Sequence, residues 1–414
     1  MPYAPVDIPE LRLEVLTKFI TKFTAPPELV FSSMFPTTAS ESSTIKWESM
    51  RGSRGLAPFI APGSPSHVIA PAGIAKHSAE AAFLSEKIPF GEEFLNNMRK
   101  AGTVQQYEAA KVRLAKDYAN LVNRNRRRKE WMIAKMVCSG SFEYSEEGGT
   151  KLAVDYDIPA ENKVTLLSDD RWGESAADIL GNVMDAKSAI KTATNGNVDL
   201  AVMNTSVLKL LAADSNIAAL LRKDAFGDGN LYSGSVNKLV GVNPQVIAGL
   251  LDIPQFLIYD ESYEVRAYLT AVVTGGSTTV VSVDNPADFE VGATLRFYDV
   301  SAGTYEDEII ASVQIEAGTI TVDAAPTASF KAGEDFVTMT KGFVPDNTIT
   351  FLTKSVEGNT IAEFKNAPFG IPRGYDLTPK SWLDTDPDVA WVRVQNKGLP
   401  VLYHRDAVYQ LTVR

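Results

Sequence analysis

The side chains that most often bind metals or act as nucleophiles are few in this sequence and lie far apart. The three histidines are His67, His77 and His404, and the single cysteine is Cys138. His67 and His77 have no cysteine or acidic cluster at the spacing of metal ligands. Cys138 has no histidine near it in sequence and lies in a helical stretch, as expected of a small buried side chain. These residues predict neither a metal site nor a thiol nucleophile.

One acidic cluster, Asp169, Asp170 and Glu174, contains the oxygen atoms that a cation would need. The cluster stands at the start of a predicted helix over 174–193, where acidic side chains cap the first turn and complement the helix dipole. We therefore interpret it as a helix-capping cluster.

A second acidic group, Asp224 and Asp228 followed by Gly229, has some features of a calcium loop. Its spacing is wrong and no glutamate closes it. Phosphate-binding loops, dinucleotide-binding glycine motifs and serine elbows are absent from the sequence. We predict that the chain is not an enzyme and needs no cofactor or metal.

The concentrated charge is a basic run made of Arg124, Arg126, Arg127, Arg128 and Lys129. Nine basic and three acidic residues between 104 and 138 give a net charge of +6, so the rest of the chain carries −11 − 6 = −17. Because guanidinium groups form forked pairs with carboxylates, we expect Arg126, Arg127 and Arg128 to contact a neighbouring subunit. A contact with a bound anion and a solvated helix face are the alternatives.

The element that carries this run is a predicted helix over 104–139, with no proline or glycine inside it. Apolar residues recur at helical spacing, and Gly102 and Gly140 bound the stretch. At 1.5 Å per residue the helix is about 50 Å long, so it must lie across something large.

Composition places the chain among ordinary globular proteins, with 414 residues, 45% hydrophobic and 22% charged. No run approaches the roughly 18 apolar residues of a membrane span, and the first residues lack the features of a secretory signal. A single cysteine suits a reducing compartment. The net charge of −11 does not suit a protein that binds nucleic acid tightly through its phosphates.

The N-terminal part divides into an arm over 1–35 and an extended loop over 36–78. The arm contains a predicted helix over 10–23, which Pro26 and Pro27 end. The loop is rich in Ser, Pro, Gly and Ala but is punctuated by apolar residues, so we interpret it as a two-stranded loop that leans on a neighbouring chain. Arg51 and Arg54 in it could pair with that neighbour, or be solvated.

The rest of the chain predicts three further parts. Residues 79–172 form a peripheral domain with the long helix and a hairpin over 141–167. Alternating strands and helices predict an α/β domain over 173–269 and 343–414, with closing strands over 390–395 and 401–413. Short β-branched runs predict an inserted small β-barrel or sandwich over 270–342.

This order of parts resembles the lambda-like capsid protein E family of tailed-bacteriophage major capsid proteins. Two local matches carry the resemblance, besides the RGSRG sequence over 51–55. One is Pro345-Asp346-Asn347-Thr348 at the start of a buried strand. The other is Trp382 followed by Asp384-Thr385-Asp386-Pro387 and a closing β-run. The likeness spans roughly 30–266 and 343–414, and the β module over 270–342 departs from it.

The resemblance implies an α+β tailed-phage major capsid protein fold: arm, extended loop, spine helix with a peripheral sheet, and axial α/β domain. It implies self-assembly into hexamers and pentamers of an icosahedral head around double-stranded DNA, by way of a procapsid. Scaffold and portal proteins are then expected partners, a decoration protein is a possible one, and no membrane is involved. The protein would assemble in the host cytoplasm and reside in the virion.

Two alternatives stay open at this point. The 270–342 module could bind a host surface or a glycan while the remainder serves as a platform. The shell could instead be a compartment that encloses enzymes, as in encapsulins.

Overall fold

The computed structural model describes residues 9–22, 29–50, 74–98, 104–145, 151–218, 244–286, 288–370, 374–385 and 388–414. The helices in these ranges include α1 (Leu13–Lys22), α2 (Phe31–Met34), α3 (Glu92–Met98), α4 (Val104–Cys138), α5 (Ile179–Thr194), α6 (Thr205–Ala213) and α7 (Pro244–Leu250). The 35 residues of α4 span about 52 Å, which confirms the long helix predicted over 104–139. No helix in the described ranges is both long and apolar enough to cross a membrane.

The first half of α4 lies on a peripheral sheet. This sheet contains β1 (Thr37–Ala39), β4 (Ala82–Phe90), β19 (Ala362–Asn366), β20 (Thr378–Thr385) and β21 (Asp388–Leu402). The first part of β21 pairs with β20 on one side and β4 on the other, and its last residues pair with β19. Leu114, Tyr118 and Leu121 of α4 pack on Val392 and Val394 of β21, together with residues of α1 and α3.

The second half of α4 enters the central core. Trp131, Met132 and Met136 are buried there with Phe142 and Tyr156 of a hairpin. That hairpin is formed by β5 (Ser141–Ser145) and β6 (Lys151–Asp155), which lie within the hairpin predicted over 141–167. Cys138 is buried in the same core, as the sequence predicts, and burial raises the pKa of its thiol to about 12.

A mixed axial sheet follows α4 in the chain. Its order is β7 (Lys163–Thr165), β22 (Val408–Thr412), β16 (Thr348–Leu352), β8 (Leu200–Met203) and β9 (Gln255–Ile258). The β8–β9 and β22–β7 pairs are parallel, whereas β16 is antiparallel to both of its neighbours. Helices α5, α6 and α7 bury their apolar faces on this sheet. The alternation of buried strands and helices in the sequence arises from this packing.

Residues 262–342 contribute a six-stranded antiparallel sheet, which we call the β module. Its order is β10 (Ser262–Tyr268), β15 (Phe336–Gly342), β12 (Thr294–Asp299), β13 (Thr304–Gln314), β14 (Thr319–Val322) and β11 (Val280–Ser282). An isolated bridge between Leu269 and Val283 brings the two edges of the sheet together. Phe297, Phe330 and Val337 lie in a separate hydrophobic core inside it.

Two short ribbons complete the described strands. In the longer ribbon, β2 (Thr44–Met50) pairs with β3 (Ile74–Glu80), from Thr44 opposite Glu80 to Met50 opposite Ile74. Ile45 and Trp47 of this ribbon are buried in the central core. The shorter ribbon pairs β17 (Ser355–Val356) with β18 (Asn359–Thr360).

Some predicted boundaries are wrong. The helix predicted from 174 begins at Ile179, because Asp178 supplies the N-cap and accepts a 2.9 Å hydrogen bond from Gly181 N–H. Asp169 and Asp170 lie in an exposed 3-10 turn before it and do not cap this helix.

The strands at the module and at the C-terminus also differ from the prediction. The sheet of the module begins at Ser262 rather than near 270, because the entering strand β10 pairs along its length with the leaving strand β15. The closing strand predicted over 390–395 continues to Leu402, and the run predicted over 401–413 contains a 3-10 turn before β22.

Candidate subunit-contact surfaces

The basic run of α4 is largely used inside the chain. Arg124 forms a forked pair with Glu86 of β4, with N–O distances of 2.8 and 2.9 Å. Arg128 forms another with Asp288 of the β module, in which Nη1 donates over 3.1 Å to Oδ1. Burial opposes the charge on Arg128, but the Asp288 carboxylate holds the pKa of the guanidinium above its usual value. Lys129 donates a 2.9 Å hydrogen bond to Thr37 Oγ1.

The three arginines predicted to contact a neighbouring subunit therefore have different surroundings. Arg127 is exposed, Arg126 is half-buried with a pKa lowered by burial, and Arg128 has its partner in the same chain. Of these three, Arg127 is the most accessible to another chain. The predicted subunit contact of these side chains stays a prediction.

A cleft of about 1000 Å³ lies between the peripheral sheet and the β module. Residues of α4 near Arg127 line it, together with residues of β4 and β10. Its lining contains four arginines and four carboxylates: Arg124, Arg127, Arg128, Arg266, Glu86, Glu264, Asp284 and Asp288. Because the formal charges balance, charge alone does not make this cleft an anion site.

A second ionic contact fixes the β module beside the end of α4. Glu290 accepts a 3.0 Å hydrogen bond from Lys135 of α4 and also contacts Lys341 of β15. Burial, and then the neighbouring Lys135 ammonium, lower the pKa of Lys341 to about 8 even though Glu290 lies against it. Glu290 thus forms ion pairs with both Lys135 and Lys341, and all three side chains belong to the same chain.

Glu130 is the charged group most completely enclosed on α4, with no exposed surface. Its carboxylate accepts hydrogen bonds of 2.7 Å from the backbone N–H groups of Phe31 and Ser32, at the start of α2. The Ser32 hydroxyl and the Tyr259 hydroxyl donate to it at 2.5 and 2.9 Å. Burial, and then the Glu130 charge, raise the pKa of Tyr259. Glu130 therefore joins the N-terminal arm, the spine helix and the end of β9.

The histidines lie in separate environments. His77 stacks on Trp47, makes a 3.0 Å hydrogen bond with Ser49 Oγ and lies 3.7 Å from Asp157. His404 follows β21. In the part of the chain that the structure describes, no three His, Cys, Asp or Glu side chains are placed to share a metal ion. His67, Arg51, Arg54, Asp224 and Asp228 lie outside the described residues.

Sequence reasoning identified the basic run but missed Glu130, Asp288 and Glu290. The signal that was available for Asp288 and Glu290 is charge. Residues 262–342 contain twelve acidic and four basic residues, a net of 4 − 12 = −8, whereas residues 104–138 of the helix carry +6. This asymmetry suits an acidic module placed against a basic helix within one chain.

The Pro345-Asp346-Asn347-Thr348 segment leads into β16 and contacts the N-terminus of α6 through the Asp346 side chain. Asn204 caps α6 by accepting a 3.0 Å hydrogen bond from Val207 N–H, and its amide donates over 3.0 Å to Asp346 Oδ1. Asn347 adopts a positive φ of 56°, which asparagine tolerates better than most residues. The motif on which the family resemblance partly rests therefore has a structural role at the start of β16, the central strand of the axial sheet.

Two of three comparisons with known proteins found matches to this chain. A family model described as phage major capsid protein E matches residues 12–270. A protein assigned as the capsid protein of a prophage in E. coli CFT073 has 12% identity and a TM-score of 0.53, with 98% of this chain and 99% of that chain covered. A phage-related protein from Bordetella bronchiseptica RB50 has 12% identity and a TM-score of 0.49, with 96% and 95% covered. Among curated proteins, none matches this chain.

The α+β tailed-phage capsid fold predicted from the sequence is confirmed by the likeness to the E. coli prophage protein, which at 12% identity speaks for the fold alone. The family model covers well over half of the chain and includes the arm, the spine helix and the first part of the axial domain. The chain therefore belongs to the phage major capsid protein E family.

Proposed function

We propose that this chain builds the icosahedral head of a tailed phage from hexamers and pentamers and encloses double-stranded DNA. Its family makes it a phage major capsid protein, a structural protein that assembles with copies of itself in the virion. The family match over residues 12–270 carries this proposal. In this proposal the chain has a structural role and no enzymatic one.

The geometry supports a subunit whose surfaces are completed by neighbours. Along its length the long helix packs on the peripheral sheet, shares the central core with strands of the axial sheet, and forms ion pairs with the β module through Arg128 and Lys135. The ribbon of β2 and β3 ends at Met50 and Ile74, and the 23 residues from 51 to 73 connect the two strands in sequence. Ordering a segment of this length costs conformational entropy. Burial of apolar surface on another subunit would offset that cost.

Further partners follow from the proposed role of this chain as a capsid subunit. A head that is filled with DNA needs a portal, and a shell of defined size needs a scaffold during assembly in the host cytoplasm. Contact with the packaged DNA would be weak and non-specific, because the net charge of −11 repels a polyanion on average. A decoration protein would bind to the completed shell. The β module over 262–342, in this proposal, is an addition to the capsid core.

The test is expression of the full chain, followed by analytical ultracentrifugation and cryo-electron microscopy. We expect closed particles built from hexamers and pentamers above a threshold concentration, as repeated weak contacts give steep assembly. A protein that stays monomeric at every concentration and salt tested would contradict the proposal. Particles isolated from the native source separate a phage head, which contains DNA, from a compartment that contains enzymes.

A further inference from the structure

Strand β4 lies at an edge of the peripheral sheet and has a strand partner on one side only. Its nine residues pair with β21, and among the described residues no backbone hydrogen bond reaches its other side. A strand edge with unpaired N–H and C=O groups is a template on which a segment of another chain can add as a further strand. We call this side of β4 its free edge.

Two prolines show which backbone groups of β4 point to the free edge. In an antiparallel pair, successive residues direct their N–H and C=O groups alternately toward the partner strand and away from it. Pro89 of β4 is opposite Trp391, and because proline has no N–H, its backbone faces away from β21. Pro379 of β20 also faces away from β21, so Val394 opposite it directs its groups toward β4, in the same phase. The residues whose N–H groups point to the free edge, which we call the outward amides, are therefore Phe83, Ser85 and Lys87.

The free edge lies in the cleft between the peripheral sheet and the β module. Residues 83–86 of β4 line one wall of the cleft, and residues 262–266 of β10 line the other. Strand β10 also pairs on one side only, with β15. Its other side is closed at Tyr268, which exchanges backbone and side-chain hydrogen bonds of 3.0 and 2.9 Å with Asp284. Among the described residues, each wall of the cleft therefore contains an unpaired stretch of strand edge.

The side chains beside the free edge suit an extended polypeptide segment. Phe83 contacts Phe369, with ring centroids 5.8 Å apart, and is still 43% exposed, so it offers an apolar neighbour for a side chain of an added strand. Arg127, on α4, has no acceptor among the described residues, whereas the other three arginines of the cleft each pair with a carboxylate. A backbone carbonyl of an added segment would supply an acceptor for Arg127.

We propose that, in the shell, an extended segment of a second copy of this chain enters the cleft and pairs with the free edge of β4. This inference rests on the proposed function, because it assumes self-assembly. Every subunit has the same cleft, so a shell needs one segment for each subunit, and identical copies supply that number. The formal charges of the lining balance, so a segment without net charge can enter, and the main-chain hydrogen bonds to β4 hold it.

The shape of the cleft limits what can pair with this edge. The β module forms the opposite wall, and a cleft of about 1000 Å³ admits an extended segment but not a folded domain. A symmetric contact between the β4 edges of two subunits is therefore blocked. A segment of the same chain and a segment of a different protein are the other possible occupants, and the experiment separates them from a second copy.

The experiment measures hydrogen–deuterium exchange at single residues, in unassembled subunits and in shells built from the purified full-length chain alone. In unassembled subunits we expect fast exchange of the outward amides and slow exchange at Leu84, Glu86 and Ile88, whose N–H groups point to β21. In shells we expect exchange of the outward amides to slow by about a hundredfold, because they become hydrogen-bonded to the added segment.

Each other result of the exchange measurement has a definite meaning. If shells form but the outward amides exchange as fast as in unassembled subunits, the inference fails while the proposed function stands. If these amides are already slow in unassembled subunits, the chain covers its own edge and the inference fails. If they slow only after another protein is added, the occupant is not a second copy. If no oligomer forms, both the inference and the proposed function fail.

Replacement of Ser85 by proline gives an independent readout. Proline removes an N–H group that points away from β21, so the β4–β21 pairing remains while the free edge loses a donor. We expect Ser85→Pro to raise the threshold concentration for assembly by about tenfold, with the unfolding midpoint of unassembled subunits near that of the wild type. Ser85→Ala is the matched control, because both variants lose the hydroxyl that accepts from Gln395 but alanine keeps the N–H, and it should assemble like the wild type.

Equal thresholds for Ser85→Pro and wild type would contradict strand pairing at the free edge. If Ser85→Pro does not fold, the exchange measurement on the wild-type chain decides alone.

Discussion

At the scale of single residues, Glu130 shows how a buried charge can hold separate parts of a capsid subunit together. A carboxylate without contact with water is unfavourable unless its oxygens are fully hydrogen-bonded. Here two backbone N–H groups of α2 and two hydroxyls donate to it. The carboxylate therefore serves as a side-chain cap for a short helix that is distant in sequence, 98 and 99 residues from it.

Replacement of Glu130 by Gln tests this role. The amide keeps the size of the side chain but loses the charge and directs an N–H₂ group toward hydrogen-bond donors. We expect a loss of about 3 kcal/mol in the free energy of unfolding, measured by urea denaturation of unassembled subunits. Limited proteolysis should also cut the chain near α2 more quickly.

Glu108→Gln is the matched control, because it makes the same substitution at an exposed position of the same helix. Its unfolding free energy should stay within about 0.5 kcal/mol of the wild type. An equally small effect of Glu130→Gln would show that the arm is not held through this carboxylate.

At the scale of elements, local patterns in the sequence were sufficient to predict α4. Apolar residues at helical spacing between two glycines predicted the helix, and its observed range differs from the prediction by one residue at the C-terminal end. The partners of its charged side chains could not be predicted in the same way. Asp288 lies 160 residues from Arg128, and a pair at that separation depends on the complete fold and not on local pattern.

The difference between local sequence pattern and long-range pairing also explains the errors at element boundaries. Strand β10 has a pattern that suits the axial domain, and only its pairing with β15 places it in the sheet of the β module. The start of α5 was placed too early, because several acidic residues were suitable caps and the sequence does not show that Asp178 is the one used. The two aromatic residues Trp382 and Trp391 also meet only through strand pairing.

Excision of the β module tests whether it is an insertion. The segment enters and leaves the remainder at one place, because Phe343 N–H donates a 3.0 Å hydrogen bond to Glu261 O. We expect a chain in which a short Gly-Ser linker replaces residues 262–342 to fold cooperatively, with its helical circular dichroism retained. Because Lys135 and Arg128 become solvated when their acidic partners are removed, they should not be left as buried unpaired charges.

The control for this excision is the same linker placed between Glu261 and Ser262, with the module kept. This variant tests the linker alone and should unfold like the wild type. A chain that loses cooperative unfolding only when the module is removed would show that residues 262–342 are an integral part of the core.

At the scale of the whole molecule, the subunit has several small cores in place of one large one. Among the residues that the structure describes, four buried clusters lie along α4, around the axial sheet and inside the β module. A subunit of this kind offers a large surface relative to each core, so contacts with neighbouring copies contribute a greater share of the stability of the shell. The segment between the strands of the β2–β3 ribbon is the clearest candidate for such a contact.

Removal of that segment separates folding from assembly. Met50 and Ile74 are opposed residues at the end of the ribbon, so a two-residue Asn-Gly turn can replace residues 51–73 and close the hairpin. We expect the shortened subunit to keep the unfolding midpoint of the wild type, because Ile45 and Trp47 remain in the central core. We expect it to form no closed particles in ultracentrifugation or electron microscopy, because we propose that residues 51–73 contact the neighbouring copy and the variant lacks them. A matched control shortens the segment over 146–150, between β5 and β6, and should still assemble. Closed shells from the variant without residues 51–73 would contradict the assignment of this loop, including the contacts expected of Arg51 and Arg54, to the subunit interface.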